Sequence, residues 1–242
     1  MKRRTLCTGL LLLTLALAAH AQSGPAVQHL VLGQAHLLTG RTPNAALGPE
    51  TYRMAGGTVA YRNRRREADA DYNTDVTVGL RAGAGHARRT AANNGIQQRP
   101  LWGLNAFAAA DGRYFGASLG GWLGRLGYFR GGESRLAHAL PQVRARGGRL
   151  DGPHAQLDYA DEFNGFGNPP LRLAAGLGFP TVPVLLRAGA AIPTLAAEGS
   201  EVQLFAQVQA RLGRALQVQA YWQPRFHATA PTQLAFGLGY VP

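Results

Sequence analysis

Arginine is the residue most able to do chemistry in this chain, and its spacing is regular. Arg81, Arg144, Arg146, Arg172, Arg187 and Arg211 each occupy the polar positions of segments that alternate polar and apolar residues. Successive side chains of an extended strand point to opposite faces, so the alternation predicts all six on one polar face. Asp75 and Asp158 are the main acids of that face. If the strands close around a lumen, guanidinium groups lining it would favour anions over cations. The alternative is a closed interior in which the arginines pair with Asp and Gln while Phe205 and Tyr221 take up the remaining space. A second basic group, Arg62, Arg64, Arg65 and Arg66, precedes Glu67, Asp69 and Asp71. It reads either as a site for lipid phosphates or a periplasmic polyanion, held by bidentate contacts, or as a solvated turn whose charges neutralise one another.

Nucleophilic and metal chemistry find little support. Gly116-Ala117-Ser118-Leu119-Gly120 matches the G-x-S-x-G pattern of a nucleophile elbow, which requires a strained strand-to-helix turn. Here the chain continues Gly121-Trp122-Leu123-Gly124, too rich in glycine for that helix, so Ser118 reads better as a small inward residue. His154 and Asp158 share a strand face, but no serine stands beside them in sequence, and ordinary hydrogen bonding explains the pair better than catalysis. No H-x-x-x-H, cysteine pair or acidic loop with calcium periodicity occurs. The expectation is therefore a protein that is not an enzyme, with no cofactor and no metal.

The elements that must position these residues are strands. Glu201–Gln223 shows them most clearly, as two alternating runs hinged at Gly213-Arg214. Val202, Leu204, Ala206, Val208, Ala210 and Leu212 oppose Gln203, Phe205, Gln207, Gln209 and Arg211. The same period-two pattern predicts further strands at 27–38, 52–62, 75–83, 102–108, 113–124, 142–147, 154–159, 171–179, 182–190 and 233–241. That makes about twelve, and ten or eight if the first segments fail to pair. From the third strand on, connections alternate in length. Short ones stand at Asp111-Gly112, 150–152, Pro180-Thr181 and Gly213-Arg214. Long ones stand at 84–100, 125–141, 161–169, 193–200 and 224–232. The long segment Asn63–Asp71 breaks that parity.

Export is legible at the N-terminus. Lys2, Arg3 and Arg4, the apolar run Leu10–Ala18 and Ala19-His20-Ala21 form a signal-peptide pattern, predicting a signal at 1–21 and one domain over 22–242. The apolar run is about half of the ~20 residues a spanning helix needs. Cys7, the single cysteine, would leave with it. The 25 basic residues then fall to 25 − 3 = 22, all arginine, against 13 acids, for a net 22 − 13 = +9. For an exported protein this balance points to phosphate-bearing lipid or an anionic solute rather than nucleic acid.

Strands with one dry face, short turns on one rim and long loops on the other resemble the bacterial outer-membrane β-barrel class. The ending Phe236-x-Leu238-x-Tyr240, trailed by Val241 and Pro242, is similar to the aromatic signal read by the barrel assembly machinery. The resemblance implies an all-β, antiparallel, up-and-down transmembrane barrel in the outer membrane. Its lipid-facing apolar side would carry Trp102, Trp222 and Tyr240 as interfacial aromatics, with Trp122 turned inward by its parity with Ser118. It also implies contact with outer-membrane lipid, help from the assembly machinery and a monomer. The functions left open are a structural or binding barrel, a small pore with anion preference, a barrel enzyme acting on envelope lipids, or a soluble periplasmic all-β binding protein.

Overall fold

Alternation translates directly into pairing. The computed structural model describes residues 27–42, 50–65, 73–90, 96–130, 133–161, 171–179, 181–192, 202–213, 215–224 and 232–242. The signal-peptide segment 1–21 and Arg66–Asp71 lie outside them. The strands are β1 (Val27–Thr42), β2 (Glu50–Arg65), β3 (Thr74–Thr90), β4 (Ile96–Gly112), β5 (Phe115–Arg130) and β6 (Glu133–Gly148). They continue as β7 (Pro153–Tyr159), β8 (Leu171–Phe179), β9 (Val184–Ile192), β10 (Gln203–Leu212), β11 (Leu216–Gln223) and β12 (Thr232–Tyr240). Each pairs antiparallel with the next, and β1 closes on β12, giving a twelve-stranded barrel without an open edge. Closure matters in lipid, where an unpaired strand edge would leave backbone groups unsatisfied.

The twelve-strand reading holds and the ten- and eight-strand alternatives fall, because β1 and β2 pair in register from Val27↔Arg65 to Thr42↔Glu50. Their alternation was hard to see for a physical reason. β1 turns Leu30, Leu32 and Leu38 into the barrel, so both of its faces are apolar.

The long loops expected at 84–100 and 125–141 are corrected by the structure. β3 continues to Thr90 and β4 starts at Ile96, while β5 reaches Arg130 and β6 starts at Glu133. Polar residues occupy both faces of β3 and β4 there, so periodicity vanishes although the backbone ladder persists, as in Arg89↔Gln97. The result is a lopsided barrel. β1 to β6 have 16 or 17 residues, whereas β7 to β12 have 7 to 10, so one half of the wall stands higher at the rim opposite the chain termini.

Outward positions form a continuous apolar band that includes Leu80, Leu104, Leu119, Leu173, Leu204 and Leu238. In a water-soluble fold such a surface would be a serious liability. A gradient of this kind, dry outside and polar within, is the inverse of a soluble protein and matches a wall facing hydrocarbon.

Candidate functional site

The interior of the barrel is the site that the sequence singled out, and it is built in layers. Near the termini, Arg62 and Arg64 of β2 face inward and meet Asp75 of β3, at 3.7 Å and 3.3 Å. They belong to a strand, not to a turn, and their neighbour Arg65 points outward. Arg144 Nη2 donates to Asp111 Oδ2 at 2.7 Å, and Arg146 lies 3.7 Å from the same carboxylate. Arg146 also donates to the carbonyls of Gly148 and Gly112, at 2.5 Å and 2.7 Å. Arg211 Nη2 donates to Val241 O at 2.9 Å, which holds the chain end against Leu30, Leu32 and Ala60. A mouth of about 670 Å³, lined by Arg62, Arg64, Asp75, Asp111 and Arg211 among others, opens here.

The middle layer is charged and buried. Arg81 Nη1 reaches Asn105 and Gln142 at 3.3 Å each and Asp161 at 3.5 Å. Its guanidinium also stacks 3.9 Å over the ring of Phe107. Gln142 Nε2 donates to Asp161 at 2.7 Å and to Ser118 Oγ at 3.0 Å. On the other side, Arg172 Nε donates to Asp158 at 2.5 Å, and Gln156 donates to the same carboxylate at 3.1 Å. Arg172 stands over Phe205 and Tyr221, at 5.6 Å and 5.2 Å. Tyr221 Oη donates to Gln223, which in turn donates to Gln203. Arg187 contributes a longer bond to Gln207, 3.5 Å. Every one of these arginines is therefore engaged by neighbours within the barrel.

Above this layer the side of the interior walled by β1 to β6 is apolar, while Gln203, Gln223 and Gln233 are buried on the side walled by β10 to β12. Leu38, Met54, Leu101, Trp122 and Leu140 from β1, β2, β4, β5 and β6 pack with Tyr52, Ala87 and Ala160 into one cluster. Trp122 and Leu38 are almost inaccessible. The cluster draws on six consecutive strands and on Ala160 just beyond β7, and at roughly 1.5–3 kcal/mol for each large apolar side chain buried this plug is a main contributor to stability. Ala160 has φ of 52°, a left-handed conformation unfavourable for any residue with a Cβ. That turn aims its carbonyl at Trp122 Nε1, which donates to it at 2.9 Å, and places Asp161 against Arg81.

All six arginines singled out in sequence lie on the inward face. The sequence missed the two acids that hold three of them. Asp111 looked like a turn residue and Asp161 like the start of a loop, although Asp111 continues the inward parity of Leu101, Asn105 and Phe107. Trp102 and Trp222 point outward on the loop side, and Tyr240 ends β12 at the terminal rim. Trp122 points inward and is buried.

The hydrolase pattern does not assemble. Residues 116–120 lie within β5, and Ser118 faces inward as an acceptor for Gln142. His154 Nδ1 donates to Gly152 O at 3.1 Å, while Asp158 is taken by Arg172 and Gln156. Outside the barrel wall, Asp151 in the β6–β7 turn receives a bidentate contact from Arg149, at 3.0 Å and 2.9 Å. That hydrogen bonding holds its carboxyl below the ordinary carboxylate range.

A closed, twelve-stranded, antiparallel barrel with an apolar exterior and an arginine-rich interior is the fold of the bacterial outer-membrane β-barrel class. Among solved structures the chain is similar to the transport unit of the autotransporter AIDA-I from Escherichia coli. The two share 13% identity over 98% of this chain and 97% of that one, with a TM-score of 0.51. The translocator domain of the autotransporter NalP from Neisseria meningitidis aligns at 12% identity over 98% and 95% of the chains, with a TM-score of 0.35. A mutant porin of Rh. blastica aligns at 9% identity over 88% and 99%, with a TM-score of 0.34. No protein-family model and no curated protein matches the sequence.

Proposed function

We propose that this protein is an integral outer-membrane barrel with a closed interior, a structural or binding barrel rather than a pore or an enzyme. The observation that carries this reading is the plug, in which Leu38, Met54 and Trp122 pack inside the barrel above the Arg81–Gln142–Asp161 network. A conducting path needs a continuous wet channel. Here it would have to cross both a dry cluster and a layer of mutually bonded side chains.

On this reading residues 1–21 direct export and residues 22–242 form the barrel, which inserts as a monomer with the help of the barrel assembly machinery. The inward arginines stabilise the interior, while Trp102, Trp222 and Tyr240 sit at the two membrane interfaces. The rival reading is a small anion-preferring pore, favoured by the same six arginines. Their engagement with Asp111, Asp158, Asp161, Gln207 and backbone carbonyls counts against it. Conductance in planar bilayers separates the two: the proposed barrel is silent, and a rival pore gives discrete anion-selective steps.

A further inference from the structure

On the outer face of the barrel, Arg41, Arg53, His86 and Arg88 form an exposed basic cluster, with the exposed Arg125 further along the wall opposite Trp102. Among the described residues, no Asp or Glu points outward on β1 to β5. The register packs the cluster tightly. Arg53 sits directly opposite His86 and Arg88 opposite Thr51, while Thr51 is in turn opposite Arg41. Counted from the terminal-rim ends of their strands, Trp102 and Arg125 stand 10 residues up (112 − 102 and 125 − 115). Arg53 and His86 stand 12 up (65 − 53 and 86 − 74), and Arg41 and Arg88 stand 14 up (41 − 27 and 88 − 74). The outward residues below them on the same strands are Thr39 and then Leu37 on β1, Ala55 on β2, Ala84 on β3 and Leu104 on β4. The wall therefore changes from apolar to basic at one level, immediately above the tryptophan.

Arg41 and Arg88 flank Thr51 from either side, two strands apart, and arginine beside a hydrocarbon-facing band is costly, so an anion among them would offset both their mutual repulsion and that cost. Two grooves give the ligand its shape. One of about 690 Å³ runs beside Arg41, Arg53, His86 and Arg88 to Trp222 and Leu234. Below it, an apolar groove of about 530 Å³ is lined by Leu37, Ala55, Val218, Phe236 and Leu238. The two adjoin, since Thr39↔Leu234 and Leu37↔Phe236 are successive outward pairs of one ladder. Positive charge above and a greasy channel beneath fit a molecule with phosphate at one end and acyl chains at the other.

We propose that this cluster binds the phosphorylated head group of an anionic lipid in the leaflet at the loop rim, with the acyl chain lying along the lower groove. The guanidinium groups supply bidentate contacts to phosphate oxygens. The inference rests on the membrane-barrel reading above and adds to it a specific lipid site.

The test uses the whole mature barrel, refolded in neutral detergent. Native mass spectrometry would follow retention of bisphosphorylated lipid A, of the same lipid stripped of phosphate, and of inorganic pyrophosphate. Selective retention of the phosphorylated lipid is expected, with Arg41→Gln, Arg53→Gln and Arg88→Gln each weakening it about fivefold. Arg149→Gln, in a turn at the terminal rim, should leave it unchanged. Equal retention of the stripped lipid, equal retention by the triple variant, or an equal loss in Arg149→Gln would overturn the site. Pyrophosphate held as tightly as the lipid would overturn the lipid as occupant. Wild-type protein that fails to float with phosphatidylcholine vesicles would overturn the membrane-barrel reading itself; flotation without phosphate selectivity would overturn only the site.

Discussion

Arg81 makes the interior argument quantitative. Its side chain and that of Asp161 are 9% and 5% exposed, and the two lie 3.5 Å apart in a layer shared with Asn105, Gln142 and Phe107. Arg81→Ala removes the cation and leaves Asp161 buried, with Gln142 still donating to it at 2.7 Å. Breaking a buried pair from one side costs about 3–5 kcal/mol, most of it the burden of the abandoned charge. The lost stacking on Phe107 contributes about 1–2 kcal/mol within that total. If the charge is the cause, Arg81→Met combined with Asp161→Asn should recover at least about half of the loss, since neither ion then remains uncompensated. Urea unfolding in lipid vesicles, followed by tryptophan fluorescence, measures both variants against wild type. A loss below about 1 kcal/mol for Arg81→Ala, or a double variant no better than the single, would refute the reasoning.

Other expectations follow from single features. Ala160→Gly should stabilise the barrel by about 0.5–1 kcal/mol by relieving the left-handed backbone at φ of 52°, read from the same unfolding midpoint. Gly124 has φ of 152°, and a Cβ there would approach Trp102 O to 2.2 Å, so Gly124→Ala should cost about 2 kcal/mol or more and slow refolding on a gel-shift assay. Asp151 should titrate below the usual carboxylate range by NMR, and Arg149→Gln should return it toward that range. Because its folded pKa is depressed, the small stabilisation of this exposed turn is present above the unfolded carboxylate value. It disappears as the pH falls through the folded one.

The hydrophobic period was most legible where the chemistry of the outward and inward faces differs. β10 and β11 alternate cleanly because Leu204, Ala206 and Val208 face out while Gln203 and Gln207 face in. The pattern failed where the two environments converge. β1 buries leucine inside the barrel, and the upper parts of β3 and β4 carry polar residues on both faces, so their length was hidden. The inward parity of the six arginines could be read locally, but their partners could not. Arg81 and Asp161 are 80 positions apart, and only closure of the barrel and the unusual turn at Ala160 bring them together. The outward basic cluster escaped notice for the same reason. Arg41, Arg53, His86 and Arg88 are scattered along three strands and meet only through register.

The closed interior is tested most directly by conductance. Mature protein should be shown to be inserted by its heat-modifiable gel migration and then placed in a planar bilayer under an applied voltage. The plug of Leu38, Met54 and Trp122 above the Arg81 layer predicts a flat current trace with no discrete steps. Reproducible steps from the inserted wild-type barrel, with anion selectivity on reversal of a salt gradient, would contradict it.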